Sequence, residues 1–135
     1  MRDLLIDLEQ ILRTVPSINR VSHGKPFAIS QEDAFTSVYI VPDATSYQPF
    51  KQGTAVSSYD NILYVKLYVN TLNETDPLAY TYVHSDIVKA VLDDSGLWSK
   101  VVDRDVLACT FDEYGEYPRK SFELLFELKY REPCI

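Results

Sequence analysis

The sequence is poor in the residues that build chemistry. Its 135 positions hold two cysteines, two histidines and four glycines. Two cysteines, Cys109 and Cys134, with no CxxC, exclude a disulfide scaffold and a cysteine-rich zinc module. Two histidines, His23 and His84, form no HxxxH or HExxH, and neither has a cysteine nearby, so no metal ligand set is visible. The few glycines compose neither GxxxxGK[ST] nor GxGxxG, which excludes the common phosphate cradles. No GxSxG elbow presents a serine nucleophile. Basic clusters are missing too. Arg119-Lys120 is the one adjacent basic pair, and the formal net charge is −7. An acidic chain is repelled by phosphate backbones and anionic membranes, so a groove-reading DNA binder is not expected. No apolar run approaches the ~20 residues that span a bilayer. Met1 to Leu5 lacks the apolar core of a secretory signal. The expectation is a chain that is cytosolic when made.

What is present is an ordinary globular composition, 46% apolar and 24% charged. A chain of this length buries roughly two-thirds of its unfolded surface and needs no metal or disulfide to hold a core. One domain spanning 1–135 is expected.

Leu4, Leu5, Leu8, Ile11, Leu12 and Val15 recur every three or four residues, which predicts an amphipathic helix ended by Pro16. Short extended pieces at 18–22 and 26–30 flank a turn at His23-Gly24-Lys25. A β-rich run, Val38-Tyr39-Ile40-Val41, closes at Pro42-Asp43. Residues 43–60 carry Pro49, Gly53 and many hydroxyls, and they predict a long protruding loop. Tyr47, Phe50 and Tyr59 on that loop need something to pack against, which makes them candidate contacts to another chain. The clearest strand covers 61–70. Leu63, Val65, Leu67 and Val69 form its core face, and Tyr64, Lys66 and Tyr68 an amphipathic second face for solvent or a partner. A second helix opens near Asn73, Thr75 or Asp76, with Pro77 in its first turn and Leu78, Tyr82, Ile87 and Val91 on its apolar face. Gly96 is its stop signal. A hairpin ends the chain. Leu107, Cys109 and Phe111 share a face of its first strand, 112–116 is the turn, and Phe122, Leu124, Phe126, Leu128 and Tyr130 alternate along the second. The element order predicts an α+β fold: a mostly antiparallel sheet of four or five strands with two helices packed on one face.

One constellation imitates an active site. Asp43 after Pro42, with Glu127-Leu128-Lys129, has the form of a PD-(D/E)xK nuclease, whose carboxylates hold Mg²⁺ while the lysine steadies the attacking water. The same Glu-x-Lys arises on the solvated face of any amphipathic strand, and that accounts for it here. Asp112, Glu113 and Glu116 lack the DxDxDG spacing of a calcium loop.

Taken together, the first helix, the segment Asn19 to Pro26, the strand Val38 to Pro42, the strand Tyr64 to Val69, the helix from Pro77 and the closing Phe126-Glu127-Leu128-Lys129-Tyr130-Arg131 resemble the tail terminator (minor tail, tail completion) proteins of long-tailed bacteriophages. The resemblance lies in order, size and the closing strand. It implies a non-enzymatic virion protein, with no cofactor or metal, assembled in the host cytoplasm. It implies a hexameric ring at the head-proximal end of the tail that ends tube polymerisation and offers a docking surface to the capsid neck. Its partners would be further copies, the tail tube protein and a neck or head-completion protein, and DNA would pass through without specific binding. The loop at about Thr45 to Tyr59 would act as an arm toward neighbours. Tyr47, Phe50, Tyr59, Tyr64 and Tyr68 are the candidate subunit or tube contacts, and Asp112, Glu113 and Glu116 the candidate acidic residues of the lumen. The alternatives are a head-completion or neck connector of similar fold and, from another class, the Mg²⁺-dependent nuclease.

Overall fold

A computed structural model describes residues 2–24, 36–52, 55–72, 76–93, 101–111 and 119–133. Helix α1, Arg2–Arg13, is followed by strands β1 (Arg20–His23), β2 (Ser37–Gln52) and β3 (Ala55–Leu72), helix α2 (Ala79–Asp93), and strands β4 (Val101–Phe111) and β5 (Arg119–Pro133). The five strands form one sheet in the order β1-β2-β3-β5-β4. All neighbours are antiparallel except β1 and β2. This is the expected α+β class and mostly antiparallel sheet, with five strands and one parallel pair, β1–β2.

Helix α1 forms for the reasons its sequence gives. Leu4, Leu8, Ile11 and Leu12 are buried along one stripe, Asp3 lies in the first turn and Arg13 in the last, where each complements the helix dipole. Arg13 also donates to Glu9 one turn back, at 2.9 Å. The Thr14 hydroxyl donates to the Ile11 carbonyl at 2.6 Å and closes the final turn. Asn19 then ties β1 to the start of β2: its side-chain oxygen accepts from the Thr36 amide at 3.1 Å, while its own amide donates to the Thr36 carbonyl at 2.9 Å. Gly24, at φ 86, ends β1 in the left-handed region that glycine enters at no steric cost.

The register sorts the sheet residues into two faces. On one, Val38 and Ile40 meet Val69 and Leu67, which in turn meet Phe122 and Leu124. Val65 and Leu63 continue that face opposite Phe126 and Leu128. Both helices pack here: Leu4, Leu8, Ile11 and Leu12 of α1 and Val83, Ile87 and Val91 of α2 join the same buried cluster. On the opposite face no described helix packs.

Several expectations need correction. Residues 43–52 and 55–60 are strand, not loop: they complete β2 and begin β3, which pair from Ser37↔Asn70 out to Gln52↔Ala55. By Tyr47, 63% exposed, β2 has left the core, so apolar alternation is no longer required there. Register shifts between Pro42 and Ala44 and between Phe50 and Lys51 scramble what periodicity remains. On α2, Leu78 (59% exposed) and Tyr82 (67%) lie outside the apolar face, and Val83 takes the buried position instead. Of the three possible caps, the Asp76 carboxylate accepts from the Leu78 amide at 2.9 Å. Strand β4 begins at Val101, earlier than the pattern suggests. A shift between Val106 and Ala108 turns Leu107 outward, so Val106 and Cys109, not Leu107, pack against the core. Gly96 and Cys134 lie outside the described residues.

Two measurements check this arrangement. Phe126 is fully buried between β3 and β4. Phe126→Ala is expected to cost about 3–5 kcal/mol in urea unfolding; a loss under about 1 kcal/mol would contradict the assignment of the core face. The second concerns acid. The hydrogen bond from Arg13 holds the Glu9 carboxyl below its ordinary value against the opposing effect of burial, and the contact with His23 at 3.4 Å adds a lesser lowering. A depressed carboxyl stabilises the fold above its unfolded pKa, and the contribution disappears as pH falls through the folded one. Glu9→Gln should therefore flatten the acid limb of the stability–pH curve. The effect is small, since exposed pairs contribute about 0–1 kcal/mol.

Candidate assembly surface

The candidate contact residues fall on three different parts of the sheet. Tyr64 and Tyr68 lie on β3 with side chains on the helix-free face, because Val65, Leu67 and Val69 between and beside them face the core. Both are half-buried. Tyr68 is flanked by Tyr39 of β2 and Glu123 of β5, and Tyr64 by Ala44 and Glu127. Tyr47 is on the opposite face. It pairs with Asn61, which shares its side with Leu63, and at 63% exposure it stands beyond the helices; the Thr45 and Tyr47 hydroxyls are 3.3 Å apart. Phe50 and Tyr59 sit in the distal ribbon opposite Ser58 and Pro49, and their side chains lie outside the described set. The named aromatics thus do not form one patch. Asp112, Glu113 and Glu116 fall outside the described residues altogether.

The nuclease constellation is not assembled. Asp43 sits at the first irregularity of β2, Glu127 on β5 and Lys129 one row further along. Strand β3 runs between the two carboxylates, with Tyr64 in the gap, so they are two strand spacings apart, about 10 Å. One Mg²⁺ held at about 2.1 Å cannot bridge that distance. Asp43 faces Lys66 at 3.7 Å instead. No group of three or more histidine, cysteine or acidic side chains converges as a metal site among the described residues.

The remaining reactive side chains have structural surroundings. His84 lies half-buried against the rings of Phe122 and Phe111, at 5.8 and 6.3 Å between centroids, and Tyr80 meets Phe111 edge-on at 5.8 Å. Lys120 caps that group with its ammonium 5.6 Å from the Tyr80 ring centre. Burial pushes the Cys109 thiol up, away from the thiolate that reactive cysteines need. Among the described residues no helix is long and apolar enough to cross a membrane.

Two features escaped sequence reasoning. Asn61, 1% exposed, is buried on the helix side, and its side-chain oxygen has no hydrogen-bond partner among the described residues. The acidic residues Asp105 and Glu127 face one another across β4 and β5. Neither carries a local signal, because both arise from register.

Comparison with known proteins bears on the fold. No protein-family model matches the sequence, and no curated protein matches it. Among solved structures, a chain from "Virion of native gene transfer agent (GTA) particle" is similar, with a TM-score of 0.50 and 14% sequence identity over 97% of this chain and 90% of that one. Such a likeness shows a shared fold over almost the whole length of both chains.

Asn61 generates a prediction. A buried acceptor left unpaired costs roughly 1–3 kcal/mol. Asn61→Val should raise the urea midpoint, whereas a drop of more than about 1 kcal/mol would mean that the amide is satisfied in the folded protein.

Proposed function

We propose that this chain is a structural protein of a phage-type virion, a tail terminator that forms a hexameric ring at the head-proximal end of the tail. The observation that carries the reading is the likeness in fold to a chain of a virion, over 97% of this chain. The order of elements, which resembles that of tail terminators, supports the narrower role.

The physical features are compatible with it. A ring needs a heterologous contact, one patch meeting a different patch on the next copy. The β2–β3 ribbon extends past the helices and exposes Tyr47, which gives a projecting part. Strand β1 pairs with β2 only from Ser37 to Ile40, so the longer outer edge of β2 has no strand partner among the described residues. Unpaired edges are ready templates for another chain. The net charge of −7 favours a passage that repels DNA over one that holds it. In this reading the ring ends polymerisation of the tail tube, presents its other side to the neck of the capsid, and assembles in the host cytoplasm.

Electron microscopy of the purified chain mixed with tail tube protein tests the proposal. Rings of six on one end of tubes of limited length are the expected result. Tubes that grow unchecked and uncapped, with this chain found instead on isolated capsids, would replace the terminator with a neck connector.

A further inference from the structure

Neither long edge of the sheet carries a continuous row of free amides. Strand β4 pairs only with β5 among the described residues. On it the Arg104 amide donates to the Asp103 carboxylate and the Val106 amide to the Asp105 carboxylate, each at 2.9 Å. In an antiparallel strand, amides face the partner and the open edge by turns, so amides two residues apart point the same way. Those of Arg104 and Val106 are the outward set, and each is taken by the side chain just before it.

On β2 the device is different. Thr36 and Ile40 turn their carbonyls to β1, where they accept from Asn19, Arg20 and Gly24. Alternation puts Pro42 in the same outward set. Asp43 is the extra residue at the shift between Pro42 and Ala44, which reverses the phase, so Thr45, Tyr47 and Pro49 point outward beyond it. Both prolines, one on each side of the shift, thus occupy outward positions, as residues without an amide hydrogen must. Strand β1 ends at His23 opposite Ile40, and no described strand covers that side of β2 further on. Between Ile40 and Pro49 the outward donors are Thr45 and Tyr47 alone.

A row of free amides is the template for edge-to-edge pairing, and prolines, charges and bulges interrupt it. We propose that both long edges are guarded against strand addition by a second copy of this chain, β2 by Pro42 and Pro49 and β4 by the Asp103 and Asp105 carboxylates. In the assembly reading, a strand contact on β2 is then confined to Thr45 and Tyr47, and copies cannot run on into an endless sheet. The guard itself does not require a ring.

Three double variants test this by light scattering over a range of concentrations and by thioflavin fluorescence. Asp103→Ala with Asp105→Ala frees the two β4 amides, and Pro42→Val with Pro49→Val adds two donors to β2. Both are expected to self-associate, reaching at least about twice the parent's mass where the parent is unchanged. Asp103→Asn with Asp105→Asn removes the charge but keeps an accepting oxygen, and it should retain the parent's mass. Adding Thr45→Pro to the valine variant should restore that mass. Parent-like mass in the alanine or the valine variant, equal association of the alanine and asparagine variants, or association that survives Thr45→Pro would overturn the proposal. Amide exchange in the isolated, unaltered chain requires no variant to fold. Arg104 and Val106 should exchange at least about tenfold more slowly than Thr45 and Tyr47, and equal rates would overturn the proposal as well. Failure to cap tubes would remove the terminator reading and leave this result standing.

Discussion

The pairing of β3 with β5 is the constraint on which the rest of the molecule depends. Its register runs without a shift from Ser58↔Pro133 to Leu72↔Arg119, whereas β2–β3 and β4–β5 each contain irregularities. Two strands with apolar residues at every second position can satisfy both patterns in only one phase. A slip of one residue would turn Leu63, Val65, Leu67 and Val69 to the surface and bring Tyr64, Lys66 and Tyr68 under the helices. Both helices read that phase. Their buried stripes close on the face it defines, and α2 is held against β4 by the bond from the Arg104 side chain to the Leu92 carbonyl at 2.9 Å.

The same ladder gives the molecule its two unequal surfaces. Helices of 12 and 15 residues are shorter than the path of an 18-residue strand, at about 1.5 Å per residue against about 3.3 Å. The sheet therefore extends beyond its two helices, and the excess includes the distal β2–β3 ribbon. The helix-free face is set just as firmly, because every residue that must be buried on one side assigns its neighbours to the other. Tyr64, Glu127 and Asp105 become a row only because three strands hold this register. Function, on this account, is what the sheet presents after its core is satisfied.

Much of this was legible in the sequence, and the limits have physical causes. The phases of β3 and β5 are plain, since Leu63 to Val69 and Phe122 to Tyr130 alternate cleanly and are buried as the alternation requires. The first helix is equally plain. The distal ribbon reads as a loop because its sequence, with Pro49, Gly53 and many hydroxyls, does not alternate. Leu78 and Tyr82 read as the apolar face of the second helix, although Leu78 precedes α2 and Tyr82 points away from the side that buries Val83, and Leu107 is turned from the face of Cys109 by the register shift in β4. The candidate tyrosines stand out as residues, yet the placement of Tyr47 on one face and of Tyr64 and Tyr68 on the other follows from register alone. So does the distance between Asp43 and Glu127, which a linear motif cannot express.

The central claim is that the distal β2–β3 ribbon meets other chains. Hydrogen exchange of backbone amides along Thr45 to Gln52 tests it most directly, measured in the isolated chain and again in the assembled particle. The account predicts fast exchange at the outward amides of this segment in isolation and at least tenfold slower exchange after assembly, with the β3–β5 amides protected in both. Unchanged exchange along the ribbon in a particle that contains the chain would contradict it.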